Sequence, residues 1–311
     1  MQQTSSSFTI NFLEREAMKR VLITGGAGQL GTILRRRLND AYDLRISDQV
    51  KVRDLLPDQE FVKANLTDLS AVRPAVSGMD CVVHMGAYSL EEEWDTLLQA
   101  NIIGTYNILE AARLEGVKRI VFASSNHVVG FYDRVCKLDH RSLPRPDSRY
   151  GVSKVFGEQM ASLYADKYGL EVACIRIGHV TDVPQEPISL SIWQSPRDLE
   201  QLIHICLTNP EIKYEIVYGI SDNERAWWDN SNAFRLGYKP LDKSEDYAAD
   251  ILSPEKKWKV YPLAKQKQGG QFVLAERGWG PSFPKTKRSQ KIKSLIKKAL
   301  KQTLNTVWPK K

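Results

Sequence analysis

RVLITGGAGQLG, residues 20–31, decides the fold. Residues 20–25 are a short apolar strand, and residues 29–38 have helical character. Between them Gly25, Gly28 and Gly31 form a GxxGxxG pattern. Glycine allows positive φ and lets the backbone approach a pyrophosphate. The helix start adds free N–H groups and a partial positive charge, which places Gln29 and Leu30 among the expected cofactor contacts. The same glycines would also suit a tight strand–helix turn that binds nothing. Asp48 separates the two readings. It ends the second strand, 20 residues after Gly28, where an acid takes the adenosine ribose hydroxyls and repels a 2′-phosphate. NAD is therefore expected over NADP, with Arg45 and Arg53 as the nearby cations.

Outward from this unit, strand and helix keep alternating. Further strands are expected at residues 43–47, 61–64, 81–85, 119–124 and 171–178. Helices are expected at residues 93–115 and 150–168. Such alternation, with near-continuous apolar strands, implies an α/β fold: a Rossmann doubly wound parallel sheet covered on both faces. After Gly178 the pattern changes. Pro184 and Pro187 interrupt it, a helix near residues 198–207 and a strand EIVYGI (residues 215–220) follow, and the sequence beyond Leu241 is polar and loop-rich. The expected organisation is a flexible lead-in (1–17), an NAD-binding Rossmann domain (18–180), a small C-terminal substrate-binding part with loops (181–284) and a basic amphipathic tail (285–311).

The 311-residue chain is net +7, but residues 285–311 carry ten Lys or Arg and no acid, so the rest is net −3. That excludes a general nucleic-acid binder. Within the tail, apolar residues recur at helical spacing among lysines over residues 290–307. This suits either peripheral contact with an anionic membrane or packing on the body or a partner subunit. No run of 18 apolar residues exists. Cys81, Cys136, Cys174 and Cys206 are widely and irregularly spaced, which fits a reducing cytoplasmic setting and no metal site.

YGVSK places Tyr150 and Lys154 four residues apart at the start of a helix, on one helical face. An unperturbed tyrosine, with pKa about 10, is a poor base near neutrality. A nearby ammonium favours the phenolate, so Lys154 is expected to lower the Tyr150 pKa.

With the SSN that ends the fifth strand, this pair resembles the extended short-chain dehydrogenases, over roughly residues 19–240. The resemblance implies Ser125 as the serine that hydrogen-bonds the reacting hydroxyl and Asn101 as a structural asparagine near the cofactor. It also places Asn65, Leu66, Gly86, Ala87 and Ile177 against NAD, with Lys154 on the nicotinamide ribose. ASSNHVVGFY (residues 123–132), RPDSRYGVSK (145–154), IRIG (175–178), WWDNS (227–231), HMGAYS (84–89) and NIIGTYN (101–107) resemble uronate dehydrogenases. That implies oxidation of a cyclic uronic acid at C1 by NAD, giving a lactone without a metal. Carried over by position, Ser89, Ser125, Asn126, His127 and Tyr150 meet the sugar. His127 also suits a structural histidine, and Asn126 a turn residue. Trp227 and Trp228 read as packing rather than sugar stacking.

Two positions depart from that family. Ile188 stands where an arginine holds the substrate carboxylate, and His179 replaces a serine. Arg197 and His179 are the residues that could compensate. The stretch YEIVYGISDN (residues 214–223) is similar to archaeal-type NAD-dependent glucose-6-phosphate dehydrogenases. The expectation is therefore C1 oxidation of a cyclic uronate or neutral aldose, with sugar-6-phosphate 1-dehydrogenase as the main alternative and a nucleotide-sugar epimerase or dehydratase and a non-catalytic NAD sensor behind it. A homo-oligomer acting on a small-molecule sugar is expected.

Overall fold

The computed structural model describes residues 19–258 and 260–277. The lead-in and the basic helix, with its expected membrane contact, lie outside the described residues. Nine strands are assigned in this range: β1 (Arg20–Thr24), β2 (Asp43–Asp48), β3 (Glu60–Lys63), β4 (Cys81–His84), β5 (Arg119–Ser125), β6 (Glu171–Ile177), β7 (His179–Val180), β8 (Trp193–Gln194) and β9 (Tyr214–Gly219). Seven form one sheet in the order β3-β2-β1-β4-β5-β6-β9, and every pairing is parallel. The order reverses between β1 and β4, which is where open α/β sheets bind ligands. β7 and β8 pair separately beside it.

Alternation along each strand loads both faces. Val21 and Ile23 pack with Leu34, Ile46 and Ile203 on one side, while Leu22 packs with Val72, Ile108 and Tyr164 on the other. β9 belongs to the main sheet, so the sheet draws a strand from beyond residue 180, and the expected units 18–180 and 181–284 share it.

The helix expected over residues 93–115 is not continuous. Trp94–Leu97 and Gly104–Glu115 are α-helical, but Leu98–Ile103 widens into a π-helical turn. The wide turn aims Asn101 inward, where its amide bonds the N–H and carbonyl of Tyr88 (both 2.9 Å) and Ser153 Oγ (2.9 Å). π-turns commonly mark functional sites for this reason.

The helix Arg149–Tyr168 starts at Ser148, whose hydroxyl accepts the Gly151 N–H, and ends at Gly169 with φ 71°. Its fully buried Glu158 meets Arg176 of β6 through two bonds of 2.9 Å and accepts the Ser124 hydroxyl at 2.6 Å. Arg176 also reaches the Tyr218 hydroxyl on β9. Removing one partner of such a pair strands a buried charge. Glu158→Gln is expected to lower the unfolding free energy by about 3–5 kcal/mol, read from urea melts. A loss within the range of a surface pair, about 1 kcal/mol or less, would contradict this role.

Candidate active site

The GxxGxxG turn is sterically committed. Gly25 has φ 69°, and a Cβ there would lie 2.8 Å from the Gly86 backbone; one on Gly31 would collide with the Gly25 carbonyl. The helix Gln29–Arg37 has no side-chain cap and no acid in its first turn. Its leading amides thus face a cleft that an anion suits. Behind the turn, Thr24 Oγ1 accepts the Gly86 N–H at 3.1 Å and lies 2.7 Å from His84 Nδ1. Burial, aided by the Lys154 charge, pushes the His84 pKa down to about 3. His84 is therefore neutral, and its Nδ1 shares a hydrogen bond with the threonine hydroxyl.

The cleft has two connected halves. A cavity of about 520 Å³ is lined by Asp48, Asn65, Leu66, Gly86 and Ala87. A second, of about 390 Å³, is lined by Gln29, Leu30, Gly31, Ser89, Ser125, Asn126, His127, Tyr150, Lys154, Ile177 and His179. Both share Gly25, Gly28 and Ala87. Apart from Asn101, the expected site residues therefore converge on one continuous cleft. Asn101 does not line it: its side chain is spent on Tyr88 and Ser153, so its part is to shape the wall. Gln29 lines it, but donates its amide to the Val180 carbonyl at 2.9 Å. Asp48 accepts the Ala27 and Val50 N–H groups, one on each oxygen, leaving lone pairs toward the cavity. Arg45 is occupied by Glu60 and the Ala75 and Ser77 carbonyls, so no 2′-phosphate partner comes from it.

Tyr150 and Lys154 sit on the cleft floor. Ser125 hydrogen-bonds the Tyr150 side chain, but burial dominates and pushes the phenol pKa up to about 12. The sequence expectation that Lys154 lowers it is not met by the protein's own groups. Lys154 Nζ lies 5.8 Å from the Tyr150 ring centroid and donates to the Ala123 carbonyl at 2.7 Å, while burial pushes its own pKa down to about 8. A cationic nicotinamide bound in the cleft would add charge that favours the phenolate.

His127 is held as a structural histidine and also faces the cleft. Its Nδ1 bonds buried Asp147 at 2.7 Å, and it lines the cleft. His179 bonds Ser189 Oγ at 3.0 Å, and burial lowers its pKa. Trp228 stacks on Tyr218 and donates to Gln268, and neither Trp227 nor Trp228 lines the cavities described, so both are packing. Arg197 is ion-paired with Asp242 away from the cleft, so it does not stand in for Ile188.

Sequence reasoning missed the roof. Residues 260–272 fold back, and Phe272 stacks on His127 with centroids 3.8 Å apart and lies 6.3 Å from Tyr150. Beyond it a third cavity of about 730 Å³ opens, lined by Arg134, Ile188, Trp258, Lys265 and Phe272 and sharing Asn126, His127 and His179 with the catalytic half. The Gly269–Gly270 pair was the available signal: a Cβ on Gly269 would strike the Asp147 carboxylate that holds His127.

A dinucleotide cleft with an adjoining tyrosine–lysine–serine site defines a short-chain dehydrogenase-type oxidoreductase that uses NAD. Residues 21–181 match the NAD dependent epimerase/dehydratase family, and the chain belongs to it. It is 44% identical over 258 residues to a uronate dehydrogenase of Pseudomonas syringae pv. tomato, covering 82% of this chain and 94% of that protein. It is 38% identical over 250 residues to an NAD-dependent glucose-6-phosphate dehydrogenase of Haloferax volcanii, covering 73% and 95%. A variant of Agrobacterium tumefaciens uronate dehydrogenase complexed with NAD is structurally similar, with TM-score 0.79, 42% identity and coverage of 82% and 97%.

Asp48→Ala is expected to lower the ratio of kcat/KM with NAD to that with NADP by about tenfold or more, the scale of a lost hydrogen bond to a charged group. An unchanged ratio in steady-state assays of both cofactors would remove Asp48 from ribose recognition.

Proposed function

We propose that this protein oxidises C1 of a cyclic uronic acid to a lactone with NAD. The observation that carries the reading is the convergence of Tyr150 and Ser125, with Asn126 and His127, between the dinucleotide cleft and a separate polar-rimmed cavity. The Tyr150 phenolate takes the C1 hydroxyl proton. Ser125 hydrogen-bonds that hydroxyl and Tyr150, fixing their approach. NAD held in the dinucleotide cleft would supply the acceptor for the hydride that leaves C1. Lys154 keeps a positive charge beside the site, held in place by the Ala123 carbonyl. Asn126, His127 and Ser89 pair the sugar hydroxyls, which must be satisfied once desolvated. Phe272 excludes water from above His127. A homo-oligomer in the cytoplasm is part of this reading.

Oxidation of a sugar 6-phosphate is the second reading, supported by Ile188 in the wall and by the glucose-6-phosphate dehydrogenase relative. NADH production with galacturonate, glucuronate, glucose, arabinose and glucose 6-phosphate tests both. Activity with a uronate, lost by at least about a thousandfold in Tyr150→Phe as for removal of a general base, is the expected result. No turnover of any aldose, or NAD copurifying tightly with no net reduction, would overturn it in favour of an epimerase-type cycle.

A pH dependence follows from the two buried groups. Below its raised pKa Tyr150 is protonated and inactive, so log kcat/KM for oxidation should climb with a slope of about 1 per pH unit. Above about 8 Lys154 loses its proton, and the rise should bend over. A flat profile from pH 6 to 9 would rule out Tyr150 as the base.

A further inference from the structure

Ile188 gives the substrate cavity no charge, yet the wall beside it is cationic. Arg134 enters from the loop after β5 and lines the cavity with Ile188. A Cβ placed on Gly270 would lie 2.6 Å from Ile188 Cδ1 and 4.0 Å from Arg134 Nη2, so the two side chains flank one point. Arg134 is half-buried and rigidly held. Its Nε donates to the Lys267 carbonyl at 3.0 Å, its Nη2 to the Ala264 carbonyl at 2.9 Å, and its guanidinium lies 5.1 Å from the Trp227 ring centroid. Both partners are neutral carbonyls, and no carboxylate among the described residues comes within ion-pair distance. Glu186 lines the same cavity and favours the charge from further off. Lys265, exposed on the rim, makes no ion pair among the described residues.

A half-buried arginine without a counter-ion, positioned by its neighbours at a sugar-sized cavity, is a prepared anion site. We infer that Arg134, assisted by Lys265, holds the anionic group of the substrate from the wall beside the expected place, with Ile188 packing against the ring. The inference rests on the proposed sugar oxidation and specifies its substrate as an acidic sugar, the anion being a C6 carboxylate or a phosphate.

The test compares wild type, Arg134→Gln, Arg134→Lys and Lys265→Glu on glucuronate, galacturonate, glucose 6-phosphate and glucose. Arg134→Gln should raise KM for the acidic sugar about 10- to 100-fold, and at least tenfold more than for glucose, with kcat changed less. Arg134→Lys should recover part of the loss. Lys265→Glu, at an exposed residue whose side chain makes no hydrogen bond among the described residues, should raise the same KM in a salt-dependent way. Adding Ile188→Arg to Arg134→Gln should restore affinity for the acidic sugar. Which acid responds identifies carboxylate or phosphate. Equal losses on acidic and neutral sugars would mean that Arg134 only tethers the 264–267 segment, and a wild-type preference for glucose would equally overturn the inference. If no aldose is turned over, the functional proposal fails, and calorimetry of glucuronate and glucose 6-phosphate binding to the NADH complex still reads the anion site. Binding of neither, or binding unchanged by Arg134→Gln, would then overturn the inference.

Discussion

The buried pair between Glu158 and Arg176 is the constraint on which the site geometry depends. Two charges removed from water are tolerated only when their hydrogen bonds are satisfied. Here Glu158 receives both arms of Arg176 and the Ser124 hydroxyl, while Arg176 also meets Tyr218. Each contact ties a different element. Glu158 lies one helical turn beyond Lys154, Ser124 adjoins Ser125, and Tyr218 is on the last strand. The bonds therefore register the helix carrying Tyr150 and Lys154 against the strand carrying Ser125. A small slip of that helix would break the Ser125–Tyr150 hydrogen bond and expose a charge at the same time.

Around that register the molecule separates chemistry from recognition. The cofactor half is built from backbone: tight glycine contacts, uncapped helix amides and a neutral His84 supporting Thr24 and the Gly86 turn. Its shape follows from the sheet, because β1 and β4 part at the point where strand order reverses. The substrate half is built from side chains on loops after β5 and β6 and from a returning C-terminal segment. Loops of this kind can change a pocket wall without disturbing the sheet. The same proton and hydride chemistry can thus be directed at different sugars.

Much was legible in the residues alone. The 20–31 stretch, the strand alternation and the YGVSK spacing each depend on local rules: side-chain period, positive φ at glycine, and four residues per step along one helical face. Asp48, Ser125, Tyr150 and Lys154 were readable because their neighbours in sequence set their direction. The break in the helix at Leu98–Ile103 was not readable. No proline or glycine lies within it, and Gly104 only follows it; it coincides with Asn101 finding Tyr88 and Ser153 across the fold.

The amino-acid sequence by itself determined the α/β class, the cofactor and the Tyr150–Lys154 pair proposed for catalysis, since each is encoded within a short span. Only the tertiary structure decided three matters. Burial of Tyr150 outweighs the hydrogen bond from Ser125, because desolvation depends on everything packed around the phenol. Asn101 shapes the cleft rather than lining it. Arg134 and Phe272 line one cavity although about 140 residues lie between them. Contacts of that separation leave no periodic trace in the sequence, and only the closed chain brings them to one wall.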